Sequence, residues 1–225
     1  TRITYISDNL GNSVLSKGLT STHANLLGLS VTQNLQPTVD LLQSRSNNVT
    51  KTVLQHPAIL GLSLSNLRAK IQHFDAIHPQ LTNRILQCAP AAMSLCFDNL
   101  KTTLDFLETE LWGSRVGDML CETPGVLTLS LSKNLRPTVH FYKTLGYTNN
   151  KIRGRHVAAS LYQRLLPRYF YCKHSLPLHL LAVASDAIFC ENLGLDINDY
   201  RQFRDTADRW SWETWLETGI APIFY

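Results

Sequence analysis

The chain has 225 residues, of which 44% are hydrophobic and 17% are charged, a composition typical of a folded globular protein rather than a disordered one. It has 21 lysines and arginines against 17 aspartates and glutamates, and this small excess does not by itself identify a nucleic-acid partner. No apolar run reaches the roughly 18–20 residues that a membrane helix needs, which predicts a soluble chain that does not enter a membrane.

The chain nearly repeats itself every 33 to 35 residues. Four segments open with a short apolar element of the form Leu-x-Leu-Ser, at residues 27–30, 60–63, 93–96 and 127–130. An Asn-Leu pair follows each element, at 34/35, 66/67, 99/100 and 134/135, and later prolines stand at 57, 90 and 124. A period of this length is typical of solenoids, whose units are too small to bury their own core and stack on their neighbours.

Each unit is predicted to begin with an α-helix at its Asn-Leu pair. Apolar residues recur four and seven places after the leucine, which is the spacing of one helix face, at Val39/Leu42, Ile71/Phe74, Leu104/Leu107 and Val139/Tyr142. Ser65 and Asp98 precede the Asn-Leu pair and are predicted to cap the first free amides. Pro37 and Pro137 are predicted to lie in the first turn, where a proline breaks no intrahelical bond.

A second apolar patch in each unit is also predicted to be helical. Its members are Val49, Val53 and Leu54, then Leu81, Ile85 and Leu86, then Val116, Met119 and Leu120. Each patch ends just before a proline, which disfavours helix at the residue preceding it. The Leu-x-Leu-Ser element is too short for an α-helix, so we expect a 3₁₀ turn there.

These patterns predict an all-α protein, a right-handed α-solenoid of helix–turn–helix units with short 3₁₀ elements. Residues 24–175 form the expected repeat array, including a drifted fifth unit that aligns Leu165 with Leu135. Residues 1–23 are predicted to hold a truncated repeat around Asn9-Leu10, and residues 176–225 a helical cap. In this cap, residues 177–192 read as one apolar helix stopped by Gly194, followed by one or two helices over 199–215 that bring three tryptophans to the end of the core.

The repeat resembles that of the mitochondrial transcription termination factor (mTERF) family. The resemblance rests on a proline, the Leu-x-Leu-Ser element three residues later, Asn-Leu and helix-spaced leucines. Residues 160–168, Ser-Leu-Tyr-Gln-Arg-Leu-Leu-Pro-Arg, are similar to a segment common near the end of such proteins, and Leu145-Gly146 to the pair that closes a first helix. The likeness covers residues 24–175; Ala24 replaces the expected first proline, and Met-Ser-Leu-Cys at 93–96 varies the apolar element.

The resemblance implies an all-helical superhelix that binds nucleic acid in a mitochondrion or plastid. It implies a role in transcription, such as its termination, or in RNA processing, without enzymatic activity. We expect double-stranded DNA ahead of RNA as the partner, and a monomer.

Positive charge is concentrated near the end of the array. Residues 151–175 contain no aspartate or glutamate and hold six cations: Lys151, Arg153, Arg155, Arg164, Arg168 and Lys173. Aromatic residues interleave with them, a mixture that suits phosphate contacts and stacking on bases. We expect the cations to contact nucleic acid, while Tyr169 and Phe170 belong to the core because Tyr169 holds a core place in its unit.

A second set of cations follows the repeat. The residue after each Asn-Leu leucine is Gln36, Arg68, Lys101 and Arg136. Equivalent positions of stacked repeats lie on one face, about 8–10 Å apart per helix layer, so this ladder, with Lys133 beside it, could follow a phosphate backbone. Ordinary helix solubility explains the same pattern equally well.

Other functional classes find less support. The chain has no phosphate-binding Gly-rich Lys-Ser/Thr loop, no Gly-x-Ser-x-Gly and no His-Glu-x-x-His, so we expect neither an enzyme nor a cofactor. The odd number of cysteines and the absence of Cys-x-x-Cys predict reduced, mostly buried thiols, and the spacing of Cys172, His174, His179 and Cys190 fits no standard zinc site. The competing hypotheses are a protein-binding helical scaffold and an organelle RNA-processing or ribosome-assembly factor.

Overall fold

The structure is a computed structural model that describes residues 2–14, 28–46, 48–172 and 176–206. Within these ranges the chain is all-helical and has no strand, and none of the helices is long and apolar enough to cross a membrane. The α-helices are α1 (Arg2–Leu10), α2 (Gln36–Gln43), α3 (Val49–Gln55), α4 (Leu64–Ile77), α5 (Leu81–Cys88), α6 (Phe97–Leu107), α7 (Val116–Glu122), α8 (Arg136–Thr144), α9 (Gly154–Val157), α10 (Leu166–Cys172), α11 (Asp186–Leu193) and α12 (Ile197–Thr206).

Contacts divide the chain into two compact units. The first unit comprises residues 1–108 and 114–128, and the second comprises 109–113 and 129–225. In the first unit the second helices of successive repeats pack in order, α3 on α5 and α5 on α7. In the second unit α10 packs on α12, and α9 packs on a π-helical segment, His179–Val183.

The core follows the predicted helix faces. Seven of the eight side chains predicted four and seven places after the Asn-Leu leucine are at most 3% exposed, and Leu104 is 5% exposed. The second apolar patches are also buried, apart from the partly exposed Leu54. These amphipathic faces drive packing in each repeat, because burying apolar area is the dominant favourable contribution to folding.

The Leu-x-Leu-Ser element has two parts with different tasks. Three 3₁₀ segments begin at a proline and end before the second leucine, which confirms the predicted geometry, at Pro57–Gly61, Pro90–Ser94 and Pro124–Thr128. The final serine is extended and caps the next helix: Ser63 Oγ accepts the Asn66 N–H at 3.3 Å, and Ser30, Ser130 and Ser160 do the same in their repeats. The predicted caps Ser65 and Asp98 are therefore wrong, since helices begin two residues earlier, after Ser63 and Cys96.

In three repeats the first helix opens with a π-helical turn, and a proline follows that turn within the same helix. The turns are Val31–Leu35, Leu131–Leu135 and Leu161–Leu165, followed by Pro37, Pro137 and Pro167. Each proline is the second residue of the α-helix that follows its π turn, so Pro37 and Pro137 lie in the first turn of α2 and α8 as predicted. A proline ring clashes with the carbonyl four residues back, and the wider turn relieves that clash. The α4 and α6 helices have Ala69 and Thr102 at the position of this proline, and they begin directly as α-helices.

A recurring buried polar position lies three places after the Asn-Leu leucine. Thr38, Thr103 and Thr138 occupy it in three repeats, and cations occupy it in the other two, Lys70 and Arg168. Lys70 is fully buried and its Nζ donates to the carbonyls of Met93 at 2.7 Å and Leu95 at 2.5 Å. This ammonium thus binds the end of the next 3₁₀ segment, and its burial lowers the pKa of Lys70.

The two ends of the chain depart from the predicted pattern. Residues 177–192 are not one helix: the chain is extended at Ala184, and Ser185 Oγ accepts the Ile188 N–H at 3.3 Å to cap α11, so the repeat pattern continues beyond residue 175. Gly194 ends α11 with a φ of 64°, as predicted. Asn9-Leu10 ends α1 instead of starting a helix. The three C-terminal tryptophans lie outside the described residues.

We expect Lys70→Met to lower the free energy of unfolding by about 2–4 kcal/mol, because the buried carbonyl of Met93 and the partly buried carbonyl of Leu95 lose their donor. Urea denaturation followed by circular dichroism measures the change. Lys51→Met is the matched control, since Lys51 is exposed on α3, and it should stay within about 0.5 kcal/mol of the parent. Equal losses for the two variants would contradict a special role for Lys70.

Candidate nucleic-acid interface

Residues 148–157, which we call the basic loop, present three cations on the second unit. Lys151, Arg153 and Arg155 are exposed, whereas residues 152, 154 and 156 between and after them are buried. A strict alternation of this kind usually indicates a strand, but here it arises from a turn that enters the short helix α9. The alternation directs three positive side chains to solvent within five residues.

The backbone of the basic loop is held by two buried side chains from outside it. Trp112 Nε1 donates to the carbonyl of Ile152 at 2.9 Å. Tyr142 Oη donates to the carbonyl of His156 at 3.0 Å. Ile152 itself is fully buried, so both halves of the loop are tied to the interior of the unit. The three cations therefore project from an ordered base, which lowers the entropy lost on binding.

His156 anchors the loop from within as a neutral imidazole. Its side chain is 4% exposed, and its Nδ1 accepts the backbone N–H of Arg153 at 3.1 Å. Burial, followed by the charges of Arg155 and Arg153, lowers the pKa of His156 to about 4. This histidine adds no charge to the interface at neutral pH and acts as a hydrogen-bonding support.

A carboxylate near the basic loop is already paired. Glu110 accepts a hydrogen bond from Lys143 Nζ at 2.5 Å, and this bond together with the Lys143 charge lowers the pKa of Glu110. Asn149, at the start of the loop, donates to the backbone carbonyl of Glu110 at 3.0 Å. Because Lys143 compensates this negative charge, Glu110 opposes an incoming polyanion less than an isolated carboxylate would.

Arg168 does not belong to this surface. Its side chain is 0% exposed and donates to the carbonyls of Leu180 at 2.5 Å and Ala184 at 2.8 Å, and it forms an ion pair with Asp186 at 2.8 Å. Its guanidinium also lies 4.6 Å from the centroid of the Phe189 ring. The predicted nucleic-acid contact at Arg168 is thus replaced by a structural role, the counterpart of Lys70 in the first unit.

Arg164 adds little to the described surface. Arg164 is half-buried and its Nη1 donates to the carbonyl of Ala182 at 3.1 Å, so it too supports the chain that precedes α11. Lys173, with His174, lies outside the described residues. Of the five predicted cations that the structure describes between 151 and 172, the three in the basic loop are exposed.

The aromatic side chains between the cations pack with one another. Phe170 is buried, which confirms its predicted place in the core, and Tyr169 is half-buried with its ring edge-on to Phe141 at 5.8 Å. Tyr171 packs on Tyr200 at a centroid distance of 5.4 Å. These rings form internal contacts in the second unit and are not an exposed platform for stacking bases.

The predicted ladder positions, directly after each Asn-Leu leucine, are exposed in all four repeats that have this pair. Arg68 and Lys101 occupy this register in the first unit, and Lys101 Nζ lies 4.6 Å from the centroid of the Phe97 ring. In the second unit Arg136 and Lys133 are exposed at the start of the first helix. Within each unit these cations are exposed to solvent, and their alignment on one face as a ladder stays a prediction.

The cysteine prediction holds only in part. All five cysteines are free thiols, but only Cys190 is buried: Cys88 and Cys96 are exposed, and Cys121 and Cys172 are intermediate. Across the described ranges, no group of three His, Cys, Asp or Glu side chains is arranged to hold a metal ion.

No protein-family model matches this chain, and a search of curated proteins finds no match to it. The function of the chain is therefore inferred from its repeat motif and from the surface described above. Sequence reasoning missed the supporting residues Trp112, Tyr142 and His156, and Trp112 lies 40 residues before the Ile152 carbonyl that it binds. The alternation of charge between 151 and 155 was the available signal for the loop itself.

We expect Arg168→Met to lower the free energy of unfolding by about 3–5 kcal/mol, since it leaves buried carbonyls without their donor and removes one of the two arginines paired with Asp186. Chemical denaturation measures the effect. Arg155→Met removes the same charge from an exposed position and should change stability by less than about 0.5 kcal/mol. A small effect of Arg168→Met would argue against its structural role.

Acid should weaken the second unit through His156. The folded state holds this imidazole at a pKa of about 4, below its ordinary 6.5, so the stabilisation is fully present above pH 6.5 and is lost as the pH falls through 4. His156→Asn, which keeps an acceptor for the Arg153 amide, should be less stable than the parent at pH 7. This difference should shrink by about 3 kcal/mol at pH 4. Denaturation of both proteins at the two pH values measures it, and a constant difference would contradict the assignment.

Proposed function

We propose that this chain is a non-enzymatic nucleic-acid-binding protein of the mTERF type, a right-handed helical-repeat superhelix that regulates gene expression in a mitochondrion or plastid. The observation that carries the proposal is the basic loop, where Lys151, Arg153 and Arg155 are exposed on a backbone tied to buried Trp112 and Tyr142. Cations held in this way are suited to contact phosphates, which supply most of the affinity in such complexes.

Double-stranded DNA is proposed ahead of RNA as the partner, in a role such as transcription termination. The aromatic packing supports this preference. Proteins that bind unpaired strands stack bases on exposed aromatic rings. Tyr169, Phe170 and Tyr171 instead contact other aromatic side chains inside the second unit. A duplex needs only the phosphate contacts that the cations offer.

A protein-binding scaffold is the second candidate, and one observation favours it. Val183 and Ile188, on either side of the cap Ser185, are 41% and 48% exposed. Ile188 occupies the place that Gln33, Asn66, Lys133 and Gln163 hold in other repeats, where polar side chains face solvent. An exposed isoleucine at a polar register, with exposed Val183 five residues before it, is more typical of a protein contact than of a nucleic-acid contact.

The decisive experiment measures the affinity of the chain for duplex DNA and for RNA between about 50 and 200 mM salt. On duplex DNA, a plot of log binding constant against log salt concentration should have a slope of about −0.9 for each phosphate that the protein neutralises. The triple variant Lys151→Gln, Arg153→Gln, Arg155→Gln should weaken binding to all sequences alike and reduce that slope by about 2–3.

The matched control removes the same charge from exposed positions outside the proposed interface, with Arg45→Gln, Lys51→Gln and Arg201→Gln. It should leave the salt slope within about one unit of the parent. Arg68→Gln with Lys101→Gln tests the ladder by the same measurement. Equal losses in the triple variant and the control would show charge alone to be responsible, and binding that does not depend on salt would favour the scaffold.

A further inference from the structure

Three side chains in the first unit form a chain of polar contacts that the proposed interface does not use. Cys121 Sγ lies 3.2 Å from Nδ1 of His78, and Nε2 of the same ring lies 3.5 Å from Oδ1 of Asp118. His78 follows the end of α4, while Cys121 and Asp118 lie on α7. Gly117 permits this approach, because a Cβ at that position would lie 2.9 Å from His78 Cβ.

The backbone determines where the protons of this chain lie. The Gln80 amide N–H donates to His78 Nδ1 at 3.1 Å, and an amide nitrogen can only donate. Nδ1 is therefore the acceptor of the neutral ring, so the Cys121 thiol donates to it and Nε2 carries the proton that faces Asp118. Thiol, imidazole and carboxylate stand in the order of nucleophile, base and orienting group.

The site combines partial burial with access for a small molecule. Cys121 is half-buried, and the side chains of His78 and Asp118 are 28% and 66% exposed. Arg84 Nε donates to the Cys121 carbonyl at 2.9 Å and fixes the backbone that carries the thiol. Burial raises the pKa of Cys121, so the resting group is a thiol that needs a base before it can react.

We infer that Cys121 is a site of oxidative modification by small hydroperoxides, with His78 as its general base and Asp118 as the positioning carboxylate. The thiol proton passes to His78 Nδ1 as sulfur attacks the distal peroxide oxygen. The S–O bond forms and the O–O bond breaks, so sulfur is oxidised to sulfenic acid and the peroxide is reduced. The leaving alkoxide or hydroxide takes the proton from His78 and departs as alcohol or water.

The test exposes the reduced full chain to hydrogen peroxide in the presence of dimedone, which traps sulfenic acids. Mass spectrometry of peptides gives the rate at Cys121 relative to exposed Cys88 in the same molecules. The variants are His78→Gln, Asp118→Asn and Cys121→Ser, and His140→Gln serves as a control because His140 is an exposed histidine of the second unit. Circular dichroism checks that each variant is folded.

His78→Gln should lower the rate ratio of Cys121 to Cys88 by about a hundredfold, the usual contribution of a general base. Asp118→Asn should give a smaller loss, Cys121→Ser should abolish the adduct on its peptide, and His140→Gln should change nothing. An unchanged or increased ratio in His78→Gln would overturn the inference and leave a structural hydrogen bond. If His78→Gln does not fold, Asp118→Asn decides, and an unchanged ratio there overturns it.

Discussion

The rest of this structure depends on how each repeat satisfies backbone polar groups where a tight segment turns into the next helix. The first amides of a helix and the last carbonyls of a 3₁₀ segment have no partner of their own. A serine hydroxyl accepts from the amides in five of the described repeats. The carbonyls ahead of α6 and α11 receive a buried cation, Lys70 or Arg168, from the preceding first helix. Junctions held in this way give successive helices a defined start.

Because some of these carbonyls need a cationic donor, the lysines and arginines fall into two classes with different roles. Lys70 and Arg168 are buried and bind backbone carbonyls, so they contribute to folding. Lys151, Arg153 and Arg155 are exposed on the solvent side of the basic loop. A count of cations along the chain cannot separate the classes, since Arg155 and Arg168 lie in the same acid-free stretch of sequence. Burial, rather than charge density, selects the residues of the proposed interface.

Much of the local structure could be read from the chain because it follows from short-range rules. Helix-spaced apolar residues such as Ile71 and Phe74 indicate a buried face whatever they pack against. Prolines 57, 90 and 124 begin 3₁₀ segments because their fixed φ suits the first turn. The caps were misplaced by two residues because several hydroxyls compete for one task, and only the backbone conformation shows that Ser63, with a φ of −64° and a ψ of 137°, performs it.

The sequence by itself determined the helical repeat, its core positions and the stretch where positive charge collects. Only the tertiary structure decided which cations reach solvent, which thiol meets an imidazole, and which distant side chains support the basic loop. Trp112 and Ile152 are 40 residues apart, and Cys121 and His78 are 43 apart. Periodicity describes neighbours along a helix, whereas contacts between helices depend on packing and on close approaches such as that at Gly117. The information that creates these sites therefore appears only when the helices pack.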